Sequence, residues 1–213
     1  MNQIEALRRL KSLGAPGFET RDAAALLGVT PGNAHMILRR LERSGLLIHV
    51  SRGRWLSSRD ATRFALPELI SAPYPAYVSL QSALFHHGLI EQVPAVIYAV
   101  TLARPRRVRT PLGVVSFHRM PPELFAGFDL EGAAGVKIAT AEKALFDLLY
   151  LAPGRSRLFA QLPELEISRR FRWSQLRQYI ALVKSPSRRT FLMESIAQLR
   201  MSQPKRQARS PLA

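Results

Sequence analysis

The chain contains no cysteine, so no disulfide can form and no thiolate can hold a metal. No apolar run approaches the roughly 18–20 residues that span a bilayer, and no membrane segment is expected. Acidic residues are scarce, 15 against 31 basic ones, which leaves a net charge of +16. An excess of this size favours a polyanionic partner. Lysine is also scarce, with 5 against 26 arginines. The opening MNQIEALRRLKSLG reads as the start of an amphipathic helix rather than a signal peptide, and a cytoplasmic location is the simple expectation.

What is present is enough apolar residue, 47% of 213, to bury a sizeable core in one large domain or two small ones. Residues 1–60 hold 10 basic and 5 acidic residues (+5), and the remainder holds 21 and 10 (+11). The positive charge is therefore spread over both parts.

The stretch from Phe18 to Ser57 has the most structure written into it. Thr20 is a candidate N-cap, and Ala23, Leu26 and Leu27 give one apolar helix face. Gly28 supplies a helix stop, and Thr30-Pro31 restarts helix with a cap and a proline in the first turn. The second helix is expected from Pro31 to about Ser44, with Ala34, Ile37, Leu38 and Leu41 facing inward. Leu46 to Val50 reads as a strand, Ser51-Arg52-Gly53-Arg54 as a turn, and Trp55-Leu56 as the return strand. Upstream, Ile4, Leu7, Leu10 and Leu13 form a stripe that would complete a three-helix core.

Helix, turn, helix and basic hairpin is the layout of a winged helix-turn-helix, whose second helix lies in the major groove. Asn33 would then suit adenine and Arg39 guanine. Arg40 and Arg43 suit phosphates, and Arg52 and Arg54 phosphates or the adjacent minor groove. The full candidate DNA set is Thr20, Arg21, Thr30, Asn33, His35, Met36, Arg39, Arg40, Arg43, Arg52 and Arg54. The bland alternative is a protein-interaction domain with a solvated arginine face.

Residues 61–75, with Pro67, Pro73 and Pro75, read as a linker, with one helix from about Ser58 to Phe64. Residues 76–200 read as an α+β domain with a small sheet. Its expected helices are Ser79 to His87, Ala141 to Leu151 capped by Thr140, Trp173 to Val183, and Ser187 to Arg200. Its expected strands are Ala95 to Leu102, Val114 to His118 and Gly135 to Ala139. Pro105 to Thr110 is a basic strand or loop, and Pro121-Pro122 starts a short helical turn. Arg104, Arg106, Arg107 and Arg109 form a candidate second surface for nucleic acid or a partner. Residues 201–213 are expected to be a disordered basic tail.

Three stretches carry a resemblance: YVSLQSALFHHGLIEQVP (Tyr77 to Pro94), VTLARPRRVRTPLGVVSFHRMPPELF (Val100 to Phe125) and GVKIATAEKALFDLLYL (Gly135 to Leu151). Together they resemble the central domain of AbiEi-type antitoxins, and the helix-turn-helix ahead of them fits the same layout over roughly residues 18 to 155. Many relatives have proline after the threonine that precedes Glu-Lys, where this chain has Ala141. The resemblance implies a type IV antitoxin of a phage-defence (abortive infection) operon. Such a protein binds inverted repeats in its own promoter, alone as a dimer or cooperatively. It also neutralises a nucleotidyltransferase-like toxin without a stable complex. A stand-alone transcriptional regulator is the alternative.

No enzyme is expected. His86 and His87 are adjacent on a helix, so their side chains diverge by about 100°. His118 suits packing or a phosphate contact. Glu142 and Asp147 point to different sides, and Lys143 with Asp147 reads as a helix-surface ion pair worth a few tenths of a kcal/mol. Val136-Lys137-Ile138 lacks the acid that a metal-dependent nuclease strand would carry, so that rival pattern fails. No phosphate loop, nucleophile elbow or His-Glu-x-x-His appears, and neither metal nor cofactor is expected.

Overall fold

Three short helices follow from the amphipathic spacing at the start of the chain: α1 (Gln3–Lys11), α2 (Thr20–Leu27) and α3 (Pro31–Arg43). The structure, a computed structural model, describes residues 2–57, 62–132, 135–152, 164–168 and 170–202. Thr20 is the first residue of α2 rather than its cap. Glu19 caps it, because the Glu19 and Asp22 side chains satisfy each other's free amides in a capping box. Gly28 ends α2 at φ 65°, and the Thr30 hydroxyl accepts from the Asn33 amide at 3.3 Å to start α3.

Three strands, β1 (Gly17–Glu19), β2 (Leu47–Ser51) and β3 (Arg54–Ser57), form an antiparallel sheet in the order β1-β3-β2. β1 escaped the sequence reading because three residues are too few to show an alternation. The core of this first unit packs Ala6, Leu10, Phe18, Leu38, Leu41 and Trp55 together. Ile4, expected inside, is 76% exposed, and Ala6 takes the inner position on α1 instead.

The stretch expected as a linker is packed. Residues 58–61 lie outside the described residues, a single 3-10 turn covers Arg63–Ala65, and α4 follows at Leu66–Ser71. Leu66, Pro67 and Ile70 are buried. Pro67 sits in the first turn of α4, where its missing N–H costs nothing, so a proline that looks like punctuation starts a helix.

The rest builds a second unit around a six-stranded mixed sheet. Its elements are β4 (Ala76–Val78), α5 (Leu80–His86), β5 (Val96–Thr101), β6 (Arg106–Thr110), β7 (Gly113–Arg119), β8 (Phe128–Glu131) and β9 (Val136–Ala139). Three helices follow: α6 (Ala141–Leu151), α7 (Trp173–Ala181) and α8 (Pro186–Ser202). The strand order is β6-β7-β5-β4-β9-β8. β5 with β7 and β4 with β9 are parallel, and the remaining neighbours are antiparallel. β4 and β8, of three and four residues, were not expected. Residues 203–213 of the expected tail lie outside the described residues, while Met201 and Ser202 end α8.

The architecture is therefore mixed α and β, with one small sheet and one larger mixed sheet. The two units share apolar contacts. Val50 of β2 and Leu56 of β3 belong to the same buried cluster as Leu66, Ile70 and Tyr77.

Candidate nucleic-acid interface

α3 turns Ala34, Leu38 and Leu41 inward, and this fixes what faces out. At 100° per residue, Met36, Arg39 and Arg43 fall on the opposite stripe, with Arg40 and Asn33 to one side and His35 to the other. Met36 is 55% exposed. Arg39 is held by Glu42 at 2.6 Å, across one turn. Arg40 and Arg43 have no carboxylate partner among the described residues. Both lie in the last turn, where the helix dipole favours cations.

A buried tryptophan locks α3 to the β2–β3 hairpin. The Trp55 Nε1–H donates to the Thr20 hydroxyl at 2.8 Å, and that hydroxyl donates to the Gly53 carbonyl at 3.3 Å. The rings of His35 and His49 pack on Trp55 at 5.8 and 4.5 Å between centroids. Thr20 thus serves the junction of helix and hairpin.

The candidate residues divide accordingly. Asn33, His35, Met36, Arg39, Arg40 and Arg43 share the exposed side of α3, and Arg52 is exposed at the hairpin turn. Thr30 is committed as a cap. Arg21, though 73% exposed, lies 2.8 Å from Glu19 and 3.8 Å from Asp22. Arg54 does not project from the hairpin: it donates to the Ala72 carbonyl at 3.2 Å and lies 3.7 Å from Glu19. It is a strut between the two units, an arrangement that nothing in a local Arg-Gly-Arg pattern reveals.

The second basic cluster also divides. On the outer strand β6, Arg106 points away from Arg107 and Arg109, as alternation requires. Its guanidinium lies 4.9 Å from the Phe117 ring centroid and donates to the Ile70 carbonyl at 3.0 Å. All four arginines keep exposed surface, in a stretch with no acidic residue between Glu91 and Glu123, but among the described residues only the Arg106 side chain is tied to a neighbouring element. Behind them, burial and then the Arg107 charge lower the His118 imidazole from 6.5 to about 4.

The largest departure from expectation is inside α6. Lys143 and Asp147 are not on the surface; both side chains are fully buried and form an ion pair. Asp147 also accepts from the Tyr77 hydroxyl at 2.9 Å and the Ser79 hydroxyl at 2.7 Å. Burial pushes the Asp147 carboxyl upward, while Lys143, Ser79 and Tyr77 oppose it. Burial and then the Asp147 charge push the Tyr77 phenol upward, so it stays a donor. The Lys143 ammonium sits 5.0 to 5.7 Å from the ring centroids of Phe146, Tyr179 and Tyr77. Gly127 closes this cage: at φ 80° its backbone lies so near Tyr179 and the Lys143 stem that any side chain would collide. Glu142 faces elsewhere and accepts from the Arg172 amide at 2.8 Å. The available signal was that every residue of α6 other than Glu142, Lys143 and Asp147 is apolar, which leaves no wide polar face for a solvated charge.

The histidines serve as packing. His86 reaches Glu131 and His87 the Ala139 carbonyl, each at 2.7 Å. Among the described residues no group of three or more His, Asp and Glu could hold a metal, and no helix is long and apolar enough to cross a membrane. No family model and no curated protein matches this chain.

Proposed function

We propose that residues 3–57 form a winged helix-turn-helix that binds duplex DNA, and that the chain represses its own toxin–antitoxin operon. The observation that carries this reading is the exposed side of α3, with Asn33, Met36, Arg39, Arg40 and Arg43, braced through Trp55 against a hairpin that exposes Arg52. With α3 in the major groove, its first half meets base edges, while Arg40 and Arg43 meet phosphates. Arg52 adds a phosphate or minor-groove contact. One such unit reads few base pairs, so two copies on an inverted repeat are expected, as a dimer or by cooperative binding.

The antitoxin role falls to the second unit and rests on the likeness of its sequence to AbiEi-type proteins. The three similar stretches supply α5, β6, β7, β9 and α6. The exposed Arg104, Arg107 and Arg109 are a second surface for nucleic acid or a partner. Lys143 and Asp147 are closed off from any substrate, which supports a role in binding for the chain.

A mobility-shift titration on the chain's own upstream DNA tests the first role. Arg39→Ala should relax base preference by about 1–3 kcal/mol. Arg52→Ala should weaken all sequences alike and lower the salt slope by about one. Unchanged binding in both variants refutes the assignment. Growth rescue on co-expression with a nucleotidyltransferase-like protein encoded next to it tests the second role, and no rescue by the full chain refutes it.

A further inference from the structure

A cavity of about 500 Å³ lies in the seam between the two units. One wall is β1 and the loop before it; the other is α4 with the start of β9. Its size falls within the roughly 300–1,000 Å³ of small-molecule sites, which favour junctions between structural units.

Three observations define what it would accept. The first is an unused backbone edge. Ser57 donates to the Pro16 carbonyl at 2.9 Å and Thr20 to the Gly53 carbonyl at 2.8 Å. In an antiparallel ladder, hydrogen-bonded pairs alternate with unbonded ones, so Gly17, opposite Leu56, turns its N–H and C=O away from β3. Neither finds a partner among the described residues. Second, Gly17 adds no side chain of its own, and Leu69 packs against it: a Cβ there would stand 2.7 Å from Leu69 Cδ2 and 3.1 Å from the Trp55 carbonyl oxygen. Leu13, Pro16, Phe64, Pro67 and Val136 make the rest of the lining largely apolar. Third, the charges around it are already paired, Arg21 with Glu19 and Asp22, and Lys137 with Glu68. The Tyr77 hydroxyl is likewise committed to Asp147. A charged ligand would find no unpaired counter-charge.

We propose that this seam cavity binds a neutral, planar aromatic amide, its ring between the apolar walls and its amide paired with the Gly17 N–H and C=O, and that its occupancy regulates DNA binding. The regulatory half rests on the DNA-binding reading above. The route is short. Gly17 is three residues from Thr20, whose hydroxyl holds Trp55, and Trp55 carries both the hairpin and His35 of α3.

The test uses the full chain and indole-3-carboxamide as probe, followed by calorimetry and by the Gly17 amide resonance. Saturable binding that moves the Gly17 resonance is expected. Glu68→Trp, from the partly exposed rim, should lay a ring across the cavity and weaken binding by about tenfold or more. Lys137→Trp repeats this from β9 on the same wall. With saturating upstream duplex present, probe affinity should change by about fivefold or more, and duplex affinity by the same factor. Absence of saturable binding overturns the site, as does binding that leaves Gly17 unmoved and both variants unaffected. Probe affinity unchanged by a duplex that itself binds overturns the regulation alone. A duplex that does not bind at all overturns the DNA reading and the regulation with it, and leaves the site to be decided by the probe titration.

Discussion

Helices α3 and α6 each carry an acid and a base one turn apart, and the two pairs behave oppositely. Arg39 and Glu42 meet at 2.6 Å with side chains 45% and 29% exposed, while Lys143 and Asp147 meet with none exposed. Spacing alone does not distinguish them. The remaining residues of the helix do: α3 has a wide polar face for its charges, whereas α6 is buried through nearly its whole length. An exposed pair is worth about 0–1 kcal/mol and can be given up to a ligand. A buried pair is an obligation, because each charge depends on the other once water is excluded.

This contrast is broken most severely at Asp147. Asp147→Ala leaves the Lys143 ammonium buried without a counter-charge and strands the Tyr77 and Ser79 hydroxyls. A loss of about 3–5 kcal/mol in urea unfolding is expected. The paired change Lys143→Met with Asp147→Leu should recover the part of that loss due to the unpaired charge, since an apolar replacement of a buried pair is often neutral, while the Tyr77 and Ser79 hydroxyls stay without their acceptor. If Asp147→Ala costs under about 1 kcal/mol, the pair is solvated and the contrast fails.

A smaller effect belongs to His118. Its folded value, near 4, lies below the ordinary 6.5, so the unfolded chain binds more protons between those values. Stability should be full above about pH 6.5 and should fall as the pH drops through that window. His118→Phe should flatten the fall between pH 7 and 5 in thermal melts, a range above most carboxylate titration. An unchanged slope would show that the imidazole takes up its proton in the fold as it does in the unfolded chain.

The smallest effect sharpens the α3 side. Glu42→Gln frees Arg39 from its partner and removes an acid from the candidate DNA face. Duplex affinity should rise by a few tenths of a kcal/mol to about 1, with folding stability nearly unchanged. A fall in affinity would mean that Glu42 orients Arg39 instead of competing for it.

Much of this fold was legible in the residues. Gly28, Thr30 and Pro31 fix the boundary between α2 and α3, and Thr140 marks the start of α6, because caps and stops are local chemistry. The exposed side of α3 follows from the positions of Ala34, Leu38 and Leu41 alone. Strands β1, β4 and β8 were not legible, since strands of three or four residues are held by neighbours distant in sequence. The prolines of residues 61–75 misled in the same way: Pro67 starts a helix only because α4 has a core to pack into. Arg54 and Arg106 illustrate the same limit at the candidate sites. Both read as surface cations, and both turn to carbonyls near the end of α4, at Ala72 and Ile70, that sequence spacing does not bring near.

In the proposed function, α3 and the hairpin grip the phosphate backbone of duplex DNA. The most direct measurement is the salt dependence of binding to the upstream duplex, for the native chain and for a triple variant with Arg40→Gln, Arg43→Gln and Arg52→Gln. These three arginines are exposed and have no carboxylate partner among the described residues, so folding should be preserved. The slope of log affinity against log salt should become shallower by about three units in the variant. An unchanged slope, with the variant folded, would mean that these arginines do not meet phosphates.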